Sequence, residues 1–353
     1  MAVADELRDS GAEVSFLGTR ERIEAELVPA AGYEIDFVKV RGIDRRNPLK
    51  AARAGAEALA AVGAARRVLR RREADVVMGG GGFVAGPAGL AAALTRTPLV
   101  LTEADSHLGL ANRLLAGRAR RVCLAFPIAG REGDPYLVTG RPVPRAVLEG
   151  DRAQARERFG IAADAKTLLV FGGSQGARTI NFAALEAFAE GENAVVPAMR
   201  EEVSSRDFHV LHIAGRRDFA EIERRLAAAP ANDRYTLLDY EPNLGDALAA
   251  ADLVLARSGG SIFEVVAAGR PAILVPFPFA TADHQSANAE WMRSGGAAVV
   301  VPDAELTPER LEAEVRAVLD DEARLGEMAT AARRLAKPDA ARRIADQVLE
   351  AAR

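Results

Sequence analysis

The stretch TLLVFGGSQGAR (residues 167–178) is an apolar strand that runs directly into a glycine-rich loop and the start of a helix. Glycine lets backbone N–H groups approach a ligand closely, and the N-terminus of the helix that follows favours an anion. The first half of the chain holds a similar unit, ADVVMGGGGFVAGP (74–87). Two such units predict an α/β protein whose two domains face one phosphate-bearing substrate across a cleft.

Composition agrees with a two-domain protein and excludes several classes of function. A length of 353 residues favours two domains, and 49% hydrophobic residues are enough for two cores. The net charge of −4 gives no global signal for nucleic-acid binding. The lone cysteine, Cys123, lies in an apolar run, so we expect a buried thiol in a reducing cytoplasm. The sequence shows no stretch that resembles a membrane span and no signal peptide.

Histidines and acidic residues give no sign of a metal site. The 4 histidines lack the spacing of metal ligands, and there is no Asp-x-Asp motif. A divalent metal that bridges a diphosphate is therefore not expected.

Short apolar strands alternate with helical segments, which is the pattern of parallel sheets with crossover helices. Prolines in GRPVP (140–144) interrupt this pattern. We therefore predict one domain over residues 1–143, a second over 144–337, and a C-terminal helix at 338–353 that packs back on the first domain. Strands are predicted near 13–17, 34–40, 74–78, 98–102, 121–126, 167–171, 208–214, 235–238, 253–256, 272–276 and 298–301.

The segment RSGGSIFE (257–264) is a third glycine-rich turn between an apolar strand and a helix. Its N–H groups can meet a phosphate, while Glu264 can accept both hydroxyls of a ribose. The amides of DHQSANA (283–289) offer donors and acceptors to sugar hydroxyls. The alternatives are a tight turn with a capping serine and a solvated glutamate, and an ordinary surface loop.

Polar residues also follow a strand of the first half, in TEADSH (102–107). Carboxylates at this strand end could face the cleft, and Asp105 or His107 could act as a base. Each is otherwise a helix cap or a solvated side chain.

The helical segment 48–72 is rich in alanine and basic. Basic residues beside an apolar face can bind an anionic membrane surface. Because the apolar side is mostly alanine and lacks an aromatic anchor, a solvated helix is the alternative. The basic residues are Lys50, Arg53, Arg66, Arg67, Arg70, Arg71 and Arg72.

Together these motifs resemble the MurG-type glycosyltransferases of family 28 over nearly the whole chain. The resemblance rests on the order and spacing of FLGT (16–19), GGGFVAGP (80–87), GGSQGAR (172–178), RSG (257–259), Glu264 with AAG (267–269), and DHQ (283–285) with Asn288 and Ala289. It implies two Rossmann-like domains of the GT-B architecture. It also implies metal-independent, inverting transfer from UDP-N-acetylglucosamine to the 4-hydroxyl of an undecaprenyl-linked N-acetylmuramyl-pentapeptide, at the cytoplasmic face of the bacterial cell membrane, in peptidoglycan synthesis.

The resemblance also implies roles for individual residues. It places Ser174 at the donor diphosphate, Glu264 at the ribose and Gln285 at the sugar, with the backbone near Glu241 at the uracil. The donor-side set is Ser174, Gln175, Glu241, Gly260, Ser261, Glu264, Gln285 and Arg145. The set for the acceptor and the membrane is Gly81, Gly82, Phe83, Glu103, Arg66 and Arg67.

The chain departs from the family pattern in four places. The family's first glycine loop, which carries the histidine usually proposed as base, should precede Met1, so we expect the natural chain to begin further upstream. Asp105, which falls where the family usually has asparagine, and His107 are then the remaining candidates for the base. The turn at 257–264 is one residue shorter than expected, and the family's arginine role falls to Arg145 or is lost.

Three alternative functions stay open. They are a glycolipid glycosyltransferase of the same fold with another acceptor, an isomerase resembling UDP-N-acetylglucosamine 2-epimerase, and a donor-binding protein without catalysis. Fold alone cannot decide among them.

Overall fold

The computed structural model describes residues 1–40, 48–173, 176–190, 208–229, 234–280 and 283–353. These residues form two compact units. Unit 1 comprises Met1–Pro142 and Lys337–Arg353, and unit 2 comprises Val143–Ala336. The sequence places the corresponding breaks after residues 143 and 337.

Unit 1 is built from short parallel strands and helices. The chain order is α1 (Ala2–Asp9), β1 (Ser15–Gly18), α2 (Glu24–Ala30), β2 (Glu34–Phe37), α3 (Pro48–Arg71), β3 (Val77–Gly79), α4 (Gly82–Thr95), β4 (Leu99–Glu103), α5 (Leu110–Leu115), a 3-10 turn (Ala116–Arg118), β5 (Arg121–Leu124), β6 (Tyr136–Val138) and, from the C-terminus, α15 (Ala340–Ala352). Strands β1 and β2 form a parallel pair, and β3, β4, β5 and β6 form a second parallel sheet in that order.

Helices cover both faces of the larger sheet in unit 1. Side chains alternate along a strand, so Val100 of β4 faces one way while Leu99 and Leu101 face the other. Val100 packs with Cys123 against the apolar sides of α1 and α15, whereas Leu99 and Leu101 pack against α4 and α5. Helix α15 is also hydrogen-bonded to the sheet, because Arg121 Nε donates to Gln347 Oε1 at 2.9 Å. The C-terminal helix is therefore part of unit 1.

Unit 2 contains one six-stranded parallel sheet. The chain order is α6 (Arg145–Leu148), α7 (Arg152–Phe159), β7 (Lys166–Phe171), α8 (Arg178–Leu185) with a π-helical turn (Glu186–Glu190), β8 (Phe208–Ile213), α9 (Phe219–Ala228), β9 (Tyr235–Leu238), α10 (Leu244–Ala250), β10 (Leu253–Ala256), α11 (Ile262–Ala267), β11 (Ala272–Leu274), α12 (His284–Ser294), β12 (Ala298–Val300), a 3-10 turn (Asp303–Glu305), α13 (Pro308–Leu319) and α14 (Glu322–Leu335).

The strand order in unit 2 creates a crevice at the carboxyl ends of the central strands. The order is β12-β11-β10-β7-β8-β9, so the chain moves outward from β7 through β8 to β9 and then returns to the other side of β7. Ligands of open parallel sheets bind where the order reverses, outside the carboxyl ends of the strands. Here the reversal lies between β7 and β10, whose last residues, Phe171 and Ala256, are paired in register.

Every predicted strand is present, with ends shifted by a few residues, which confirms the α/β prediction. The prediction misses β6. Its three residues, Tyr136–Val138, follow a polar and glycine-rich run and are too few to show a pattern of their own. Pairing with β5 in the folded unit makes this segment a strand.

Cys123 has the surroundings of a structural thiol. It lies in β5 and is 1% exposed. Burial raises the pKa of the thiol to about 11, so it stays protonated at neutral pH and is not activated for nucleophilic chemistry.

Candidate active site

Two loops of unit 2 flank the crevice between β7 and β10. The glycine loop 172–177 follows β7, and the turn 257–261 follows β10. Because the two strands are hydrogen-bonded neighbours that end in register, both loops begin side by side. Sequence separates them by about 80 residues, and the sheet brings them together.

The glycine loop is packed too tightly for side chains at two of its positions. A Cβ on Gly172 would lie 2.2 Å from the backbone N of Ala177. Gly176 has a φ of +72°, and a Cβ there would lie 2.5 Å from the carbonyl oxygen of Ala214, at the end of β8. Both positions therefore need glycine.

A buried polar network holds α8 behind this loop. Asn181 Nδ2 donates to the carbonyl of Ala214 at 2.8 Å and to Asp218 Oδ2 at 2.9 Å. Its Oδ1 therefore accepts from His212 Nε2 at 3.1 Å, and His212 Nδ1 accepts from the Tyr235 hydroxyl at 2.7 Å. Hydrogen bonds from Arg217 hold the pKa of Asp218 below its usual value. The network thus fixes a neutral histidine and a charged aspartate beneath the glycine loop.

His212 should make the stability of unit 2 depend on pH. Burial lowers the pKa of this imidazole from 6.5 to about 3. Between these values the unfolded chain binds a proton that the folded chain does not, so stability falls as pH falls below about 6.5. We expect a loss of about 1 kcal/mol per pH unit from this residue. Fluorescence of the single tryptophan, Trp291, which lies in α12 of unit 2, can follow urea unfolding between pH 5 and 7.

The slope of stability against pH is the measure in this experiment. His212→Phe removes the titrating ring and should flatten the slope, even though it leaves Tyr235 and Asn181 without their partner. His107→Gln changes an exposed histidine of unit 1 and should leave the slope as in the wild type. An unchanged slope in His212→Phe would contradict the assignment.

Hydrogen bonds to residues of α12 hold the turn after β10 in place. Ser258 is fully buried, and its hydroxyl donates to the carbonyl of Gln285 at 2.7 Å. Asn288 Nδ2 donates back to the carbonyl of Ser258 at 2.9 Å. Gly260, Ser261 and Glu264 follow, with Glu264 half-buried in the first turn of α11. These bonds fix the place from which Glu264 extends.

Arg257 contacts several of the segments that follow the carboxyl ends of the strands. Its Nη1 donates to the carbonyl of Val275 at 3.1 Å and lies 2.5 Å from Asp303 Oδ1, after β12. Its Nη2 donates to the hydroxyl of Thr179, in the first turn of α8, at 3.1 Å. One buried guanidinium therefore contacts the connections after β7, β11 and β12 as well as its own.

Gln285 has one end of its amide fixed and the other available. Its Oε1 accepts from the backbone N–H of Phe277 at 2.9 Å. This bond leaves the NH₂ group as the donor, and a Cβ on Gly259 would lie 3.9 Å from Nε2. The amide thus offers N–H donors beside the glycine-rich turn.

Unit 1 has a smaller polar cluster at the carboxyl ends of β3 and β4. Glu103 is 8% exposed, and its Oε2 accepts from Gly109 N at 2.8 Å and from Asn112 Nδ2 at 2.9 Å. Its Oε1 accepts from the N–H of Asp105 at 3.2 Å. The carboxylate therefore shapes the loop 104–109, and its expected place on the acceptor side stays a prediction.

Asn112 lies between this cluster and the glycine loop of unit 1. Its Oδ1 is buried and has no hydrogen-bond partner in the described part of the chain. A Cβ on Gly81 would lie 3.9 Å from its Nδ2. Gly81 precedes α4 and Gly82 begins it. Asn112 is not among the residues predicted from the sequence, although an asparagine among the leucines of the helix Leu110–Leu115 is a signal for a buried polar role.

The comparisons with known proteins agree with this geometry. A family model described as "Glycosyltransferase family 28 C-terminal domain" matches residues 167–344, and one described as "Glycosyltransferase family 28 N-terminal domain" matches residues 1–124. The chain belongs to glycosyltransferase family 28. It is therefore a glycosyltransferase, and its two units are the two Rossmann-like domains of the GT-B architecture.

Relatives and solved structures narrow the family further. The UDP-N-acetylglucosamine–N-acetylmuramyl-(pentapeptide) pyrophosphoryl-undecaprenol N-acetylglucosamine transferase of Nitrosococcus oceani is 40% identical over 355 residues, covering 100% of this chain and 94% of that protein. The crystal structure of Acinetobacter baumannii MurG has a TM-score of 0.75 and 30% identity, covering 99% of this chain and 94% of that one. A UDP-GlcNAc 2-epimerase from Neisseria meningitidis matches with a TM-score of 0.66 and 15% identity, covering 99% of this chain and 95% of that one, and shows a common fold alone.

Within the family 28 framework, the expected donor residues fall into three groups. Gly260, Ser261, Glu264 and Gln285 lie in or beside the turn at the crevice. Ser174 and Gln175 lie outside the described residues, as does the side chain of Phe83 in unit 1. Arg145 begins α6 and is exposed.

The side chain of Glu241 forms contacts within unit 2. Its carboxylate accepts from Arg158 Nη2 at 2.7 Å and from the N–H of Asn243 at 2.8 Å. These bonds use the side chain inside unit 2, and the uracil contact implied by the resemblance, which uses the backbone near Glu241, stays a prediction.

The basic segment 48–72, which contains α3, carries less unbalanced charge than its sequence suggests. Arg66 and Arg67 are exposed, but Arg71 and Arg72 form ion pairs with Asp36 of β2. Two of the expected positive charges are therefore balanced within unit 1.

The described residues contain no group of three or more histidine, cysteine, aspartate or glutamate residues that could hold a metal ion. Within the same residues, no helix is both long enough and apolar enough to cross a membrane.

Proposed function

We propose that this chain transfers N-acetylglucosamine from UDP-N-acetylglucosamine to the 4-hydroxyl of a lipid-linked N-acetylmuramyl-pentapeptide, in peptidoglycan synthesis. The observation that carries the proposal is the 40% identity, over the whole chain, to a transferase of that name. The two loops at the switch point of unit 2 support it, because they offer the N–H donors and the carboxylate that a nucleotide sugar requires.

The donor is held by unit 2 in this proposal. Backbone N–H groups of the loop 172–177 and the start of α8 receive the diphosphate. Glu264 accepts the two ribose hydroxyls, Gln285 donates from its NH₂ group to the sugar, and the backbone near Glu241 meets the uracil. No metal ion is required in this proposal.

Catalysis then consists of positioning and of charge stabilisation. The acceptor hydroxyl attacks the anomeric carbon in line and UDP leaves, so configuration inverts. N–H groups aimed at the diphosphate stabilise the charge that grows on it. Asp105, half-buried beside Glu103, and His107, exposed on the same loop, are the proposed bases within the chain.

A transfer assay with labelled donor tests the proposal. The chain should convert UDP-N-acetylglucosamine and the lipid-linked acceptor to the disaccharide lipid and UDP, with the rate unchanged by a chelator. Incubation without acceptor should leave the donor intact. A 2-epimerised nucleotide sugar formed without acceptor would favour the isomerase, and transfer to another glycolipid alone would favour the alternative acceptor.

We further propose that unit 1 binds an anionic membrane surface at the cytoplasmic face, as a peripheral contact. Exposed leucines support this more strongly than α3 does. On α4, Leu90 and Leu94 are 45% and 63% exposed, and on α5, Leu110 and Leu114 are 45% and 65% exposed. Residues four apart share one face of a helix, and the two helices are in contact. Exposed arginines lie on or directly after these two helices and on α3, which contacts α4: Arg66, Arg67, Arg96, Arg113 and Arg118.

The double variant Leu94→Glu/Leu114→Glu should bind vesicles with anionic lipid far more weakly than the wild type. Each buried leucine is worth about 1.5–3 kcal/mol, or about tenfold or more in partitioning. Arg66→Glu/Arg67→Glu should weaken binding at low salt and matter less at high salt. Co-sedimentation measures both. Leu148→Glu, at a leucine of unit 2 that is 41% exposed, is the control, and equal losses in the control and in the double variant would reject this surface.

A further inference from the structure

Two phenylalanines stand exposed beside the donor crevice of unit 2. They lie in PFPFA (276–280), the segment after β11. Phe279 is 83% exposed and Phe277 is 41% exposed. Among the described residues, these are the phenylalanines that stand out in solvent. The proposed contacts with UDP-N-acetylglucosamine use neither ring.

The segment that carries these rings is held in place. The Phe277 N–H donates to Gln285 Oε1 at 2.9 Å, and the Ala280 N–H donates back to the Phe277 carbonyl at 3.2 Å. Arg257 donates to the Pro276 carbonyl at 3.3 Å, and its guanidinium carbon lies 5.4 Å from the centre of the Phe277 ring. The rings therefore project from a fixed turn, so little further ordering is needed when they bind a partner.

The two rings differ in how much of their surface is free to contact a ligand. Their centres are 5.7 Å apart at an interplanar angle of 73°, which is an edge-to-face contact. Phe277 has the guanidinium of Arg257 near its ring and the edge of Phe279 beside it. Phe279 contacts less of the protein and leaves most of its ring surface free. An aromatic face carries negative charge density, which suits the polarised C–H groups on the flat side of a pyranose.

We propose that Phe277 and Phe279 form an aromatic platform for a pyranose ring of the acceptor. This inference rests on the proposed function. The donor sugar is already tethered by its diphosphate, and Gln285 provides its polar contact. The acceptor sugar must lie next to the donor sugar for its hydroxyl to reach the anomeric carbon, and Phe277 is hydrogen-bonded to Gln285. Phe279 is then a specificity-determining residue for the saccharide.

Three substitutions at Phe279 separate a sugar contact from other uses of an exposed ring. Phe279→Tyr keeps the aromatic face, Phe279→Leu keeps an apolar side chain without it, and Phe279→Ala removes both. With an acceptor on a short, soluble lipid, we expect the alanine and leucine variants to raise the acceptor KM about fivefold to tenfold. We expect the tyrosine variant to stay within about twofold, since its ring face is retained. The affinity for UDP-N-acetylglucosamine, measured by calorimetry, should not change.

Several results would overturn the aromatic platform, and each indicates a different use of the Phe279 ring. An unchanged KM in Phe279→Ala, or full activity in Phe279→Leu, would overturn the platform, and the latter would indicate a lipid contact. A weaker donor affinity would place the ring at the donor sugar and also overturn it. Direct calorimetry of acceptor binding, without turnover, keeps the test independent of catalysis. If the wild type transfers nothing but its acceptor affinity still falls in Phe279→Ala, the proposed function fails and the platform stands.

Discussion

Replacing Glu264 by alanine is expected to weaken UDP binding by roughly 2–4 kcal/mol, which corresponds to about thirtyfold to a thousandfold in Kd. In the proposed site this carboxylate accepts two ribose hydroxyls, and charge-assisted hydrogen bonds are the stronger kind. The side chain extends from the first turn of α11, where bonds between Ser258, Gln285 and Asn288 fix the preceding turn. Calorimetry with UDP measures the effect directly.

A second nucleotide and a second glutamate make this test specific. If Glu264 binds the ribose, 2′-deoxy-UDP should lose less affinity than UDP when Glu264 is replaced, because one of the two hydroxyls is already absent. Glu309 is an exposed glutamate in the first turn of another helix of unit 2, α13, so Glu309→Ala is the matched control. Equal UDP affinities in the wild type and Glu264→Ala would remove Glu264 from the donor site.

Gly176→Ala is expected to lower kcat/KM for transfer by at least about a hundredfold, since displacements of about 1 Å at a catalytic site can cost that much. The added methyl group would lie 2.5 Å from the carbonyl oxygen of Ala214, and the φ of +72° is unfavourable for alanine. This oxygen belongs to the backbone and cannot rotate away as the end of a side chain could, so the loop must move away from β8. The N–H groups meant for the diphosphate move with it.

Gly160→Ala separates the backbone effect from the steric one. Gly160 also has a positive φ, of +67°, but a Cβ there would meet nothing within 4 Å. It ends α7, within unit 2. We expect a loss of stability of roughly 1–2 kcal/mol from the backbone conformation and an unchanged kcat/KM. Transfer kinetics and urea unfolding of both variants measure the two effects, and full activity in Gly176→Ala would refute the steric argument.

Local patterns were sufficient to predict most of the fold. Alternation of apolar strands and helices predicts the α/β class because parallel strands are buried on both faces and read as apolar runs. The three-residue strand β6 has too little pattern to be predicted, and it becomes a strand through pairing with β5. Glycine-rich stretches after strands predict sharp loops for the same local reason, since few other residues fit such conformations.

The fate of charged side chains was not predictable from the same patterns. Glu103 looks like a free carboxylate at a strand end, but Gly109, Asn112 and Asp105 use both of its oxygens. Arg72 looks like part of a basic face, and Asp36 of β2 balances it. Partners of this kind come from distant segments, so their pairing depends on how the helices and strands pack.

The sequence by itself determined which residues form strands, which loops are glycine-rich and which side chains have the chemistry of a nucleotide-sugar site. Only the tertiary structure decided that the loop 172–177 and the turn 257–261 are neighbours. Their adjacency follows from the strand order, which sets β10 against β7 although β8 and β9 intervene along the chain. The same order lets Arg257 contact Thr179, Val275 and Asp303 at once. The order of the strands depends on hydrogen bonds between segments that are far apart in the sequence, so no local sequence pattern determines it.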